Sequence, residues 1–146
     1  MKNLEIKHLA PYLPYGISII PYEWKVNEYW KGKKVILTGF QIDDDRAIFK
    51  HRDLITENNR FGIVTFKIEE CQPILRPIED LYNFKYEFIY EKEIDPESIG
   101  DWIELDVESR FTNKFSFQFW SYLFENKFDV FGLIDKGLAV DINTLK

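Results

Sequence analysis

Thr112-Asn113-Lys114-Phe115-Ser116-Phe117-Gln118-Phe119-Trp120-Ser121-Tyr122-Leu123-Phe124-Glu125 is the stretch on which the fold class turns. Thr112-Asn113 has the residue types that cap a helix N-terminus, because their side-chain oxygens accept from otherwise unpaired N–H groups. Lys114, Gln118, Ser121 and Glu125 follow at steps of four, three and four, which aligns them on one helical stripe. Phe115, Phe117, Phe119, Trp120, Leu123 and Phe124 cover most of the remaining circumference. A helix so widely apolar packs one face on a sheet and needs cover on another, from the C-terminal tail or from a partner.

The sheet lies upstream of it. Val35–Phe40 is rich in β-branched residues, Ala47–Lys50 is a further short strand, and Phe61–Ile68 is the clearest strand in the chain. Lys31-Gly32, Asp43-Asp44-Asp45 and Asn58-Asn59-Arg60 carry turn signals. Pro11, Pro14 and Pro21 break the N-terminal region into extended pieces, one of them Tyr15–Ile20. Pro73 and Pro77 bracket a bend, and Pro77 suits the first position of a single helical turn through Leu81. Tyr86–Tyr90 and Trp102–Val107 read as two more strands. After the helix, Phe128–Ile134 is apolar, Gly137 marks a helix stop, and Leu138–Ile142 returns extended. The expectation is an α+β protein forming one domain over residues 1–146. It has a mainly antiparallel sheet of about five or six strands, packed by a C-terminal aromatic-rich helix.

Composition agrees with a large core. The chain has 146 residues, 45% hydrophobic and 30% charged, which is globular rather than disordered. Its 13 Phe, 8 Tyr and 4 Trp are able to bury roughly 150–250 Å² each, so rings dominate that core. No long apolar run or small-residue cleavage site follows Met1, and no stretch approaches the roughly 18 apolar residues of a spanning helix. Cys71 is the only cysteine, which excludes an intrachain disulfide and a cysteine-based zinc site. Together these features suggest a cytoplasmic protein with no membrane segment.

Charge is concentrated. Between Tyr86 and Ser109 stand Glu87, Glu91, Glu93, Asp95, Glu97, Asp101, Glu104, Asp106 and Glu108, with Lys92 as the lone base. This segment alone outweighs the net −6 of the whole chain, and the remainder is slightly positive. In Trp102–Glu108 the apolar Ile103, Leu105 and Val107 alternate with Glu104, Asp106 and Glu108, the period of a half-buried strand. Such a strand presents three carboxylates in a row, with Glu91, Glu93 and Trp102 nearby, and complementary charge steers encounter with a basic groove. The plainer reading is a solvated strand face that keeps an edge from pairing. An opposite feature, Trp24, Trp30, Lys31, Lys33 and Lys34, has rings for stacking and lysines for phosphate. Glu23 and Glu28 dilute it, so direct nucleic-acid binding is disfavoured against lysines that wet a hairpin turn.

Chemistry-bearing patterns are missing. The glycines at 16, 32, 39, 62, 100, 132 and 137 never take the spacing of a phosphate loop or dinucleotide turn, and no cofactor is expected. His8 and His51 have no spacing that joins them to Cys71 in a metal site. Asp43-Asp44-Asp45 lacks the downstream Gly and Glu of a calcium loop. His51-Arg52-Asp53 is the nearest thing to a catalytic cluster, but triads are defined by geometry and a surface or structural role is favoured. Carboxylate pairs such as Asp101 with Glu104 keep ordinary pKa values if exposed, which suits acid–base catalysis poorly. Cys71, with no base or helix start beside it, is a small buried hydrophobe rather than a nucleophile.

Three blocks carry a resemblance. They are Met1–Ile17 with Lys-His-Leu-Ala-Pro-Tyr-Leu-Pro-Tyr-Gly, Pro73–Leu81 with Pro-Ile-Leu-Arg-Pro-Ile-Glu-Asp-Leu, and Phe128–Lys146 with Phe-Asp-Val-Phe-Gly-Leu-Ile-Asp-Lys-Gly. They resemble small uncharacterised proteins encoded by bacterial phages and prophages; the segment between Tyr22 and Cys71 is not part of the resemblance. Small acidic phage proteins include inhibitors of host defence, anti-CRISPR proteins among them. The uncharacterised family has no activity to carry over and supplies a context only. Beside it, the acidic ridge leads by analogy to the expectation of a non-enzymatic interaction protein, acting in the bacterial host cytoplasm on a host protein with a basic surface such as a CRISPR effector nuclease. The alternatives are a nucleic-acid-binding accessory protein or an enzyme with a site assembled across the fold.

Overall fold

The prolines near the N-terminus set the first turns. In the computed structural model, which describes residues 3–22, 33–55, 61–84, 96–112 and 115–145, helix α1 (Ile6–Leu9) runs into a 3-10 helix over Ala10–Tyr15. Gly16 ends it at φ 69°, a left-handed conformation that costs a glycine little. For residues 49–55, 61–64 and 96 the description is of the backbone.

The strands are β1 (Ser18–Pro21), β2 (Val35–Gln41), β3 (Arg46–Ile55), β4 (Phe61–Lys67), β5 (Cys71–Leu75) and β6 (Val140–Asp141). They form one six-stranded sheet in the order β4-β3-β2-β1-β5-β6, antiparallel throughout except for the parallel β5–β6 pair. β1 is central: Ile19 stands opposite Val35 on one side and Pro73 on the other. Alternation places Ile17, Ile19, Val35 and Leu37 in the core, while Ile36 and Thr38 face outward.

The fold class expected from the sequence, α+β with a mostly antiparallel sheet and a C-terminal aromatic helix, is the one observed. Strands β1 to β4 fall close to their expected places, and the extended return at Leu138–Ile142 narrows to β6. Three local expectations are corrected. First, Pro73 lies within strand β5 rather than at a bend. β6 joins β5 only from Ile74, paired with Val140, so the second ladder starts past the residue that lacks an N–H.

Second, Trp102–Val107 is not a strand. Helix α2 (Pro96–Ile103) ends there, and helix α3 (Val107–Phe111) starts after a turn. Ile99, Trp102 and Ile103, at helical spacing, are all buried, and this period overrides the short two-residue alternation that follows. Pro96 suits the first helical position, and Asp106 caps α3 by accepting from Ser109 N at 2.7 Å.

Third, the aromatic helix α4 (Phe117–Glu125) is capped by Ser116, not by Thr112-Asn113. The Ser116 hydroxyl accepts from Phe119 N at 3.3 Å, and Thr112 closes α3 instead. The turns at Lys31-Gly32 and Asn58–Arg60 and the strand at Tyr86–Tyr90 lie outside the described residues.

Two apolar clusters meet in the middle. One, under the sheet, gathers Leu9, Tyr12, Ile19, Leu37, Leu75 and Leu133. The other, among the helices, gathers Leu81, Trp102, Phe119, Leu123, Phe128 and Val130. Phe124 of α4 and Phe131 of the following segment pack against both. Tyr12 meets these two rings edge-on, with centroids 5.1 and 6.5 Å away. The C-terminal segment thus supplies much of the cover that the broad apolar face of α4 requires.

Candidate functional site

The acidic segment is helical where it is described. Asp101 follows Glu97 by four residues along α2, and Glu104 lies three further on, in the turn that ends it, so the three share one face. Asp106 and Glu108 stand at the cap and in the first turn of α3, where the helix dipole favours negative charge. All five side chains are exposed. Among the described residues, no lysine or arginine lies within 4.0 Å of Asp101, Glu104, Asp106 or Glu108.

Two of these carboxylates have neutral partners. Glu104 accepts from the Tyr82 hydroxyl at 3.0 Å, which pushes that phenol above its ordinary pKa. Asp106 is held below the usual carboxylate range by its hydrogen bonds with Ser109. Glu91 and Glu93 lie outside the described residues.

Trp102 is placed differently from the sequence expectation. Its indole is 0% exposed and cannot touch a partner. A seven-residue strand would have kept it at the rim; α2 turns it inward, edge-on to Phe115, Phe119 and Trp120 at 5.9, 5.3 and 5.7 Å. Its role is to support the acidic face from beneath. Nε1 donates to the Arg110 carbonyl, and the buried Arg110 guanidinium donates to the Ile103 carbonyl at 2.9 Å, so α2 and α3 are pinned together.

Two exposed aromatic residues, one on α3 and one opening α4, were not picked out by sequence as site residues. Phe111, at the end of α3, is 44% exposed and stacks on Trp120 of α4, with centroids 5.3 Å apart and planes 6° from parallel. Phe117 opens α4 and is 83% exposed. The signal for Phe117 was present in a helix with more apolar surface than a single sheet face covers; nothing local marked Phe111.

The alternative basic site is mostly beyond description. Trp24, Trp30 and Lys31 lie outside the described residues; Lys34 is exposed and Lys33 half-buried, just before β2. Asp43 and Asp44 form a 3-10 turn, and Asp45 follows with φ 50°. No group of three or more potential metal-ligating side chains occurs among the described residues.

Three buried titratable groups among the described residues are structural in their contacts. His8 is buried, accepts from Glu5 N at 3.0 Å through Nδ1 and packs on Phe131; burial lowers its pKa. Burial pushes the Cys71 thiol up to about 12. Asp129 is buried and accepts from Leu133 N and Ile134 N, each at 2.8 Å. The side chains of His51, Arg52 and Asp53 lie outside the description. A cavity of about 510 Å³ opens between the N-terminus and the β2–β3 and β4–β5 turns, rimmed by Glu5, Lys7, Asp44, Asp45, Lys67 and Glu69. These groups lie at an open surface and hold no nucleophile–base pair.

Compared with known protein families, with curated proteins and with solved structures, the chain matches none. None of these comparisons bears on the resemblance of the three sequence blocks to phage proteins. No helix among the described residues is long and apolar enough to cross a membrane.

Proposed function

We propose that this chain is a non-enzymatic interaction protein whose acidic face, formed by Asp101, Glu104, Asp106 and Glu108, binds a basic surface on another protein. The observation that carries the reading is that these four exposed carboxylates have no described cationic partner within the molecule. Unpaired charge of one sign on adjoining helices raises the rate of encounter with an opposite surface and rejects like-charged ones. The sequence around Glu91 and Glu93 extends the same charge excess. The phage resemblance adds a context: a partner in the bacterial cytoplasm that itself holds nucleic acid, of which a CRISPR effector nuclease is the example.

The test is affinity capture from a bacterial host lysate with the wild-type chain and with a Glu104→Lys/Glu108→Lys variant, read by mass spectrometry. Asp106 is left intact because it caps α3. The reading expects basic proteins retained by the wild type, released by moderate salt and lost by the variant. Equal capture by both chains removes it. A salt-dependent shift of labelled RNA by the purified protein alone, lost on changing Lys33 and Lys34, transfers the function to the basic stretch instead.

A further inference from the structure

We infer that the acidic face recognises arginine rather than lysine side chains of its protein partner, with Phe111 and Phe117 as the surface on which guanidinium groups stack. This rests on the reading just given. Glu108 and Phe111 are three residues apart on α3, and Phe117 and Trp120 three apart on α4, so each pair occupies one helical face. The parallel stack of Phe111 on Trp120 joins the two helices. Glu108 thus shares a face of α3 with the 44% exposed Phe111 ring, which also packs on Phe131 at 5.2 Å, and the stacked Trp120 shares a face of α4 with the 83% exposed Phe117.

These groups are mismatched to water but matched to arginine. A guanidinium is planar, weakly hydrated and able to stack on a ring while its N–H groups reach a carboxylate; an ammonium is a strongly hydrated point charge that uses the carboxylate alone. The molecule already makes this pairing internally. Arg76 lies over the Phe84 ring at 4.9 Å, and Arg110 over Trp102 at 5.6 Å. Arg110 is committed to the core, and the Lys136 ammonium donates to the Phe131 carbonyl at 3.2 Å. Neither forms an ion pair with Glu108. Charge complementarity and exposed rings at one place select an arginine-bearing protein segment.

The experiment compares deca-arginine with deca-lysine, peptides of equal charge, by fluorescence anisotropy at low salt. Wild type is expected to bind deca-arginine roughly tenfold more tightly, the scale of one or two ring–cation contacts. Phe117→Ala, at an exposed position, removes most of that preference and leaves deca-lysine binding unchanged; Phe111→Leu reduces the preference in the same way. Glu108→Lys weakens both peptides. Equal affinity for the two peptides, or a preference that survives both ring variants, overturns the role of the rings while the acidic face still binds. Failure of both peptides to bind wild type overturns the acidic-face reading and the inference with it.

Discussion

The Trp102 indole Nε1 donates to the Arg110 carbonyl oxygen at 3.2 Å, and the Arg110 guanidinium lies over the same indole. Two residues that end one helix and run through the next thus hold each other from both sides. The exposed acids of α2 and α3 owe their fixed relation to this pair.

Trp102→Phe keeps a ring but leaves the Arg110 carbonyl without its buried donor. The expected cost is about 1–3 kcal/mol, the usual penalty for an orphaned buried group. Trp102→Ala adds a cavity and should cost about 3–5 kcal/mol. Urea unfolding followed by aromatic fluorescence measures both. A Phe variant as stable as wild type would show that the hydrogen bond contributes nothing.

The acids of the exposed face separate into two kinds. Asp106→Ala removes a helix cap and should lower the melting temperature by about 2–4 °C, whereas Glu104→Gln and Glu108→Gln should leave it nearly unchanged. The Asp106 carboxyl is held below its ordinary value near 3.8 in the fold. Its contribution is therefore present above that value and disappears as pH falls through the lower folded one. Differential scanning calorimetry at neutral and acidic pH should show the gap between wild type and Asp106→Ala closing in acid.

Asp129 has the opposite sign. Burial raises its pKa above 3.8, outweighing the Ile134 and Leu133 N–H groups that favour the charged form. The folded chain binds this proton more readily than the unfolded one. Its contribution is then greatest below 3.8 and is lost as pH rises through the raised folded value. Asp129→Asn cannot ionise, so its stability relative to wild type should climb with pH across that window. Parallel denaturant titrations over the acidic range test this; a constant difference would mean the carboxyl titrates alike in both states.

Cys71 should be unreactive in the native protein. Its thiol is 1% exposed, donates to the Lys67 carbonyl at 3.3 Å and is pushed up to about 12 by burial. At pH 8 almost no thiolate forms, so native labelling by a disulfide reagent should be slower by orders of magnitude than labelling in denaturant. Comparable rates in the two states would place the residue in an open segment.

What was legible in the chain was whatever rests on local rules. The β-branched runs at Val35–Phe40 and Phe61–Ile68 identified their strands, because a pleated surface with one face buried imposes alternation directly on sequence. The crowding of rings in Phe115–Phe124 identified a helix with too much apolar surface. The concentration of acids between Tyr86 and Ser109 needed only counting. Cys71 was legible as a buried hydrophobe because no base or helix start stands beside it.

Tertiary structure decided the rest. Pro73 entered a strand because β6, more than sixty residues away in sequence, joins only beyond it, and no local window contains that partner. Trp102 went inward because Phe119 and Trp120 of a later helix offered rings to pack on, which overrode a seven-residue alternation and carried Glu104, Asp106 and Glu108 onto a turn and a helix start. Charge and composition are properties of the chain taken residue by residue. Whether Trp102 meets water or the core depends on contacts between distant residues, and those exist only once the chain has closed on itself.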